Sequence, residues 1–97
     1  MKQEIEHIER RKRFQIRLTY GKASFLKYDI KDGKMFIEET YTPPEYRGRG
    51  LATKLMEAAL KYAEERNLKI VPKCSFAEVY FKKHPEKIDM LATIEHS

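Results

Sequence analysis

From residue 14 the chain alternates. Phe14, Ile16, Leu18 and Tyr20 are separated by Gln15, Arg17 and Thr19, the two-residue period of a strand with one face buried. Gly21-Lys22 supplies a tight turn. Residues 23–30 then predict a second strand, with Ser24, Leu26, Tyr28 and Ile30 on one face and Ala23, Phe25 and Lys27 on the other. Asp32-Gly33 marks a hairpin, because primed turns need positive φ and glycine adopts it without a Cβ clash. Residues 34–42 are rich in strand formers and predict a third strand. Three strands with short connections make an antiparallel meander. Ahead of them, residues 1–12 are mostly polar, and an extended or fraying arm is expected there.

Pro43-Pro44 ends the third strand, since proline cannot donate to a ladder. After Arg47-Gly48-Arg49-Gly50 the period becomes 3.6. Leu51, Ala52, Leu55, Met56, Ala58, Ala59, Tyr62 and Ala63 form an apolar stripe opposite Lys54, Glu57, Lys61, Glu64 and Glu65. This predicts an amphipathic helix over 51–66, with Asn67 as a left-handed stop. Residues 68–73 predict a strand parallel to the third, completing a βαβ unit. Ser75-Phe76-Ala77-Glu78 reads as a capping box opening a second helix to Lys83, with Phe76, Val79 and Tyr80 inward. His84-Pro85 stops it, and Ile88, Met90 and Leu91 predict one more packed turn. The fold class is α+β, a meander continuing into a β-α-β-α unit.

Composition narrows the setting. At 97 residues the chain has room for a single domain with a modest core. Hydrophobic residues at 41%, with five Phe and six Tyr, argue against wholesale disorder. One cysteine, Cys74, excludes an internal disulfide framework and a four-cysteine zinc site. His7, His84 and His96 show no ligand spacing. No apolar run approaches a membrane span or a signal-peptide core, so a soluble, cytoplasmic protein without membrane attachment is expected. Lys and Arg number 20 against 15 Asp and Glu, a net +5 that favours an anionic partner. The dense block Arg10-Arg11-Lys12-Arg13 reads as a solvated turn.

The segment Pro44–Thr53 lies between a strand and a helix N-terminus. The first turn of a helix has unpaired N–H groups, and its dipole favours negative charge. Gly48 and Gly50 let a phosphate approach the backbone, and Arg47 and Arg49 add charge. These are the requirements of a pyrophosphate site. No Lys-Ser/Thr follows the second glycine, so the loop is not a Walker loop; position 53 is Thr, so it is not the dinucleotide G-x-G-x-x-G either. The alternative is a basic turn that only caps the helix.

Arg47-x-x-Gly50-x-Ala52 matches the R/Q-x-x-G-x-G/A signature of the GNAT acyltransferase superfamily, which the chain therefore resembles. It is similar in particular to the small YjdJ-like subfamily. Thr40, Pro43-Pro44-Glu45, Arg47–Gly50, Tyr62-Ala63, Val71-Pro72-x-Cys74-Ser75-Phe76, Tyr80 and Lys83–Glu86 carry that likeness over about residues 13–91. The resemblance implies a minimal GNAT fold with a splayed central sheet. It also implies an acetyl-CoA-dependent N-acetyltransferase that moves acetyl to a small-molecule or lysine-type primary amine by direct attack on the thioester. Arg47, Gly48, Arg49, Gly50, Leu51, Ala52 and Thr53 would then hold the coenzyme A pyrophosphate, with Ser75 nearby. Thr40, Tyr41 and Thr42 would pair with the pantetheine amides. Where subfamily members tend to carry His, this chain has Glu39, and it has Thr42 in place of Val. It also lacks the N-terminal helices that larger members use to shape the acceptor site. The acceptor pocket is then open, shared with a second subunit in a homodimer, or absent.

An amine attacks a thioester only when unprotonated, so a base or a desolvating pocket is needed at neutral pH. Glu39 and His84 are the candidate bases; Tyr80 and Cys74 are the candidate proton donors. Cys74, where a helix begins, reads as a small buried residue, a liner of the acetyl site, or a carrier of the acetyl group. Tyr80 is also suited to core packing, and His84 to capping a helix. Lys82-Lys83 fits either a 3′-phosphate or solvent. Two other functions compete: a coenzyme A-binding module with little catalysis, and a basic nucleic-acid-binding domain. The second lacks an aromatic-basic stacking signature.

Overall fold

The computed structural model describes residues 4–92; His96 lies outside them. Five strands form one sheet in the order β1 (Ile5–Ile8), β2 (Arg13–Arg17), β3 (Ala23–Lys31), β4 (Lys34–Tyr41), β5 (Lys69–Pro72). The first four are antiparallel, and β5 runs parallel to β4. Two α-helices, α1 (Leu51–Glu65) and α2 (Ser75–Lys83), and a final 3-10 segment at Pro85–Met90 complete it. The α+β class read from the periodicities is the fold observed. None of the described helices is long and apolar enough to cross a membrane.

The core lies on one face of the sheet. Phe14, Ile16, Leu26, Tyr28, Met35, Ile37 and Ile70 point from the strands into it. They meet Leu51, Leu55, Met56, Ala59, Leu60 and Ala63 of α1 and Ala77, Tyr80 and Phe81 of α2. These positions recur every two residues in the strands and every three or four in the helices, so each element buries one side. The Asp32-Gly33 hairpin forms with both residues at positive φ, 52° and 73°, as a primed turn requires. Asn67, at φ 57°, stops α1.

Four local readings change. The segment expected as an arm is β1, an edge strand in register with β2 from Ile5↔Ile16 to Ile8↔Arg13. Its alternation was obscured by His7, which behaves as an aromatic and stacks on Phe14 at 3.9 Å between ring centroids. Strand β2 ends at Arg17, before Leu18 and Tyr20. A 3-10 turn at Thr19–Gly21 follows, with Tyr20 left-handed at φ 58° and 96% exposed, where an inward position was expected. The capping box is not made: Cys74 is the N-cap of α2 and no side chain caps it, while the Glu78 N–H donates to the Cys74 carbonyl. Finally, Val79 and Ile88 are exposed; Phe81, next to Tyr80, takes the inward place given to Val79.

Candidate functional site

The site is created by a fault in β4. Lys27 opposes Glu39, but Tyr28 opposes Ile37, so Glu38 is an extra residue in β4. Such a bulge bends a strand and shifts the phase of its side chains. Met35 and Ile37 face the core; beyond the bulge Thr40, opposite the buried Leu26, takes over that face. Glu39 therefore falls on the opposite face, across from Lys27. The pairing of β4 with β5 also ends here. Ile37↔Pro72 is its last register pair, followed by the Lys73 N–H donating to the Ile37 carbonyl at 3.0 Å.

Where the strands part, an open groove of about 370 Å³ runs from β4 to the start of α1. Thr40, Tyr41 and Thr42 form one wall, Arg47, Gly48, Gly50, Leu51, Ala52 and Thr53 another. Phe76, from the first turn of α2, closes the side. Of the residues assigned to the cofactor by resemblance, Arg49 and Ser75 do not line it. The Arg49 guanidinium lies over the Tyr46 ring, 5.1 Å from its centroid. Tyr46 and Phe76 line the groove as well. Neither was singled out from the sequence for this role, because one reads as loop and the other as core.

The start of α1 leaves donors free. The Tyr46 and Arg47 N–H groups turn back to the Pro43 and Pro44 carbonyls at 2.9 and 3.3 Å, and the Lys54 N–H donates to Gly50 at 3.1 Å. Between them, the N–H groups of Gly48, Arg49, Gly50, Leu51, Ala52 and Thr53 have no acceptor among the described residues. The glycines are there for backbone geometry. Gly48 and Gly50 sit at φ 82° and 76°, and a Cβ at either would point into open space. Consecutive N–H groups folded this way make a concavity for anions.

The loop is braced from outside. Ser24, fully buried, donates to the Tyr41 carbonyl at 2.9 Å and lies 2.8 Å from the Thr42 hydroxyl. The Arg47 Nε donates to the Thr42 carbonyl at 3.1 Å, so this arginine ties the loop to β4 with part of its guanidinium. The Thr19 and Tyr46 hydroxyls bond, and Lys22 pairs with Glu45.

The other predicted residues sit deeper or apart. Tyr80 is 4% exposed, and its hydroxyl is buried without a hydrogen-bond partner. It packs against Phe76, Phe81 and His84. Burial first, then the Glu57 and Glu86 carboxylates, raise its pKa, so it holds its proton. His84 caps α2, packs tilted against Tyr80 with ring centroids 4.3 Å apart, and bonds Glu86 through Nδ1 at 3.1 Å. Cys74 is half-buried at the N-terminus of α2. Glu39 is exposed on the far face. Lys82 and Lys83 are exposed at the end of α2. Among the described residues no group of His, Cys, Asp and Glu is placed to hold a metal.

A family described as GCN5-related N-acetyl-transferase matches residues 13–90. The chain belongs to the GCN5-related N-acetyltransferase family. The solution structure of a GCN5-like protein from Staphylococcus aureus superimposes with a TM-score of 0.71 at 29% identity, covering 96% of this chain and 91% of that one. Human protein NATD1 is 34% identical over 83 residues, which are 84% of this chain and 74% of NATD1. A segment of 34 residues is 56% identical to an uncharacterized N-acetyltransferase of Archaeoglobus fulgidus, covering 35% of this chain and 23% of that protein.

Proposed function

We propose that the chain binds acetyl-CoA in the β4–α1 groove and transfers the acetyl group to a primary amine, acting in the cytoplasm. The observation that carries this is the run of free N–H groups from Gly48 to Thr53 beside the groove. Six donors at a helix N-terminus suit a pyrophosphate, and the Thr53 hydroxyl and the rest of the Arg47 guanidinium add to them. The unpaired edge of β4 beyond Ile37 offers backbone groups to the pantetheine amides.

The thioester supplies an activated acyl carbon. The amine nitrogen forms a bond to that carbon, and the carbon–sulfur bond breaks. Glu39, where β4 leaves β5, takes the proton the amine must lose. Tyr80 donates its proton to the departing sulfur; its orphaned, buried hydroxyl fits a group awaiting a partner. His84, packed against the Tyr80 ring, is a positioning residue.

Calorimetry with acetyl-CoA tests the groove. Gly50→Glu places a carboxylate at the donors and should abolish binding while the circular dichroism stays native. Unchanged affinity would overturn the assignment. Incubation with lysine peptides, polyamines and small amines, read by intact mass, tests transfer. Among the described residues none on the sheet face opposite α1 is buried, so a second reading stands beside the first, a coenzyme A-binding module. Binding without turnover of any amine would select it. Acetyl retained on Cys74 would replace direct attack by a covalent route.

A further inference from the structure

The sheet face away from α1 carries a charge arrangement of which only Glu39 has been given a role. Arg13, Lys27 and Glu39 oppose one another in register across β2, β3 and β4, so all three project from that face. Glu39 and Lys27 are exposed, and no ion pair engages Glu39, Lys27 or Arg13 among the described residues. Arg13 is the unusual member. Its guanidinium lies over the Phe25 ring, 4.2 Å from the centroid, and its Nε is buried without an acceptor. Stacking fixes a guanidinium in one plane, and with Nε buried it is the Nη groups that are left to meet an anion. Arg13 lines a groove of about 450 Å³ together with Gln15, Arg17 and Lys22. Arg17 already bonds Glu6, and Lys22 bonds Glu45, so Arg13 is the cation in this groove without a counter-charge.

We propose that this face selects the acceptor: a polypeptide segment presenting a primary amine to Glu39 and a carboxylate to Arg13 and Lys27. The inference rests on the acetyl-transfer reading and names its substrate class. Strands lie about 4.8 Å apart, so β2 and β4 are separated by roughly 10 Å. An extended peptide advances about 3.3 Å per residue and returns its side chains to one face at every second residue, which places the carboxylate two or four residues from the acceptor lysine. Glu39 attracts the ammonium and Arg13 the carboxylate, so one peptide satisfies both ends of the row. The same arrangement disfavours a nucleic acid, because Glu6 and Glu39 interrupt the cations a phosphate backbone would follow.

The probe is a capped peptide with one lysine and glutamates two and four residues away, beside a twin carrying glutamines. Each is titrated into the coenzyme A-loaded protein and followed by amide chemical shifts. The glutamate peptide should bind about tenfold tighter, the scale of one charge-assisted contact, with shifts at Gln15, Phe25 and Lys27. Arg13→Gln should remove the preference and leave coenzyme A affinity unchanged. Lys27→Gln, at an exposed position, should reduce it and guards against a folding defect in the first variant. Equal affinity for the twins, shifts outside this face, tighter binding of a single-stranded oligonucleotide there, or self-association through it would each overturn the proposal. Loss of coenzyme A binding by the unmodified protein would instead defeat the acetyl-transfer reading, and the peptide comparison on the free protein would still report on the face.

Discussion

A buried hydroxyl without a partner is costly, and Tyr80 carries one in a protein with little stability to spare. Tyr80→Phe removes that hydroxyl and keeps the contacts with Phe76, Phe81 and His84. The melting temperature should hold or rise, while acetyl transfer falls about 100-fold, the low end of general acid–base effects. Loss of stability with full activity would mean that the hydroxyl has a structural partner and no catalytic one. Sequence reasoning found this residue and left its role open between acid and core. It occupies a core position with its polar end unspent, which periodicity alone does not reveal. Glu39 shows the opposite limit: its face is set by the bulge at Glu38, which resets the phase of β4. A bulge depends on pairing between strands and leaves no clear mark in one strand's sequence.

At the scale of elements, the meander, the βαβ unit and the helix at 51–65 were legible because their periods are strong. Strand β1 was not, because its anchor is a histidine. His7 stacks on Phe14, meets Tyr62 edge-on, and lies 2.5 Å from the Tyr28 hydroxyl through Nε2. Glu9 and Arg66 border the cluster, with the Tyr62 hydroxyl donating to Glu9 at 3.0 Å. Burial first, with Arg66 opposing Glu9, lowers the His7 pKa below its usual 6.5. The folded state thus resists the proton that the unfolded chain accepts. His7 contributes stability that is present above pH 6.5 and is lost as pH falls below it. Thermal melts at pH 8, 7, 6 and 5 should show a decline beginning near pH 6.5. In His7→Gln that part of the decline should vanish, with a lower melting temperature at pH 8. An unaltered slope would place the pH sensitivity elsewhere.

For the molecule as a whole, the order of operations is simple. One sheet face and the apolar sides of α1 and α2 make the core, and the bulge parts β4 from β5 at one end. The parting exposes the strand edge, and Gly48 and Gly50 turn the helix start toward it. The helix start after Arg47-Gly48-Arg49-Gly50 was legible from the change of period, while the residues themselves left an anion site and a basic capping turn as alternatives. The spending of Arg47 on the Thr42 carbonyl, and of Arg49 on Tyr46, was not, since both depend on the folded brace around Tyr46. What the account requires is that a diphosphate settle on those backbone donors. Titration of the isotope-labelled protein with coenzyme A, followed at backbone amides, measures this directly. The largest shifts should fall on Gly48 to Thr53, with smaller ones along Thr40 to Thr42. Saturable binding that leaves the Gly48–Thr53 amides unmoved would contradict it.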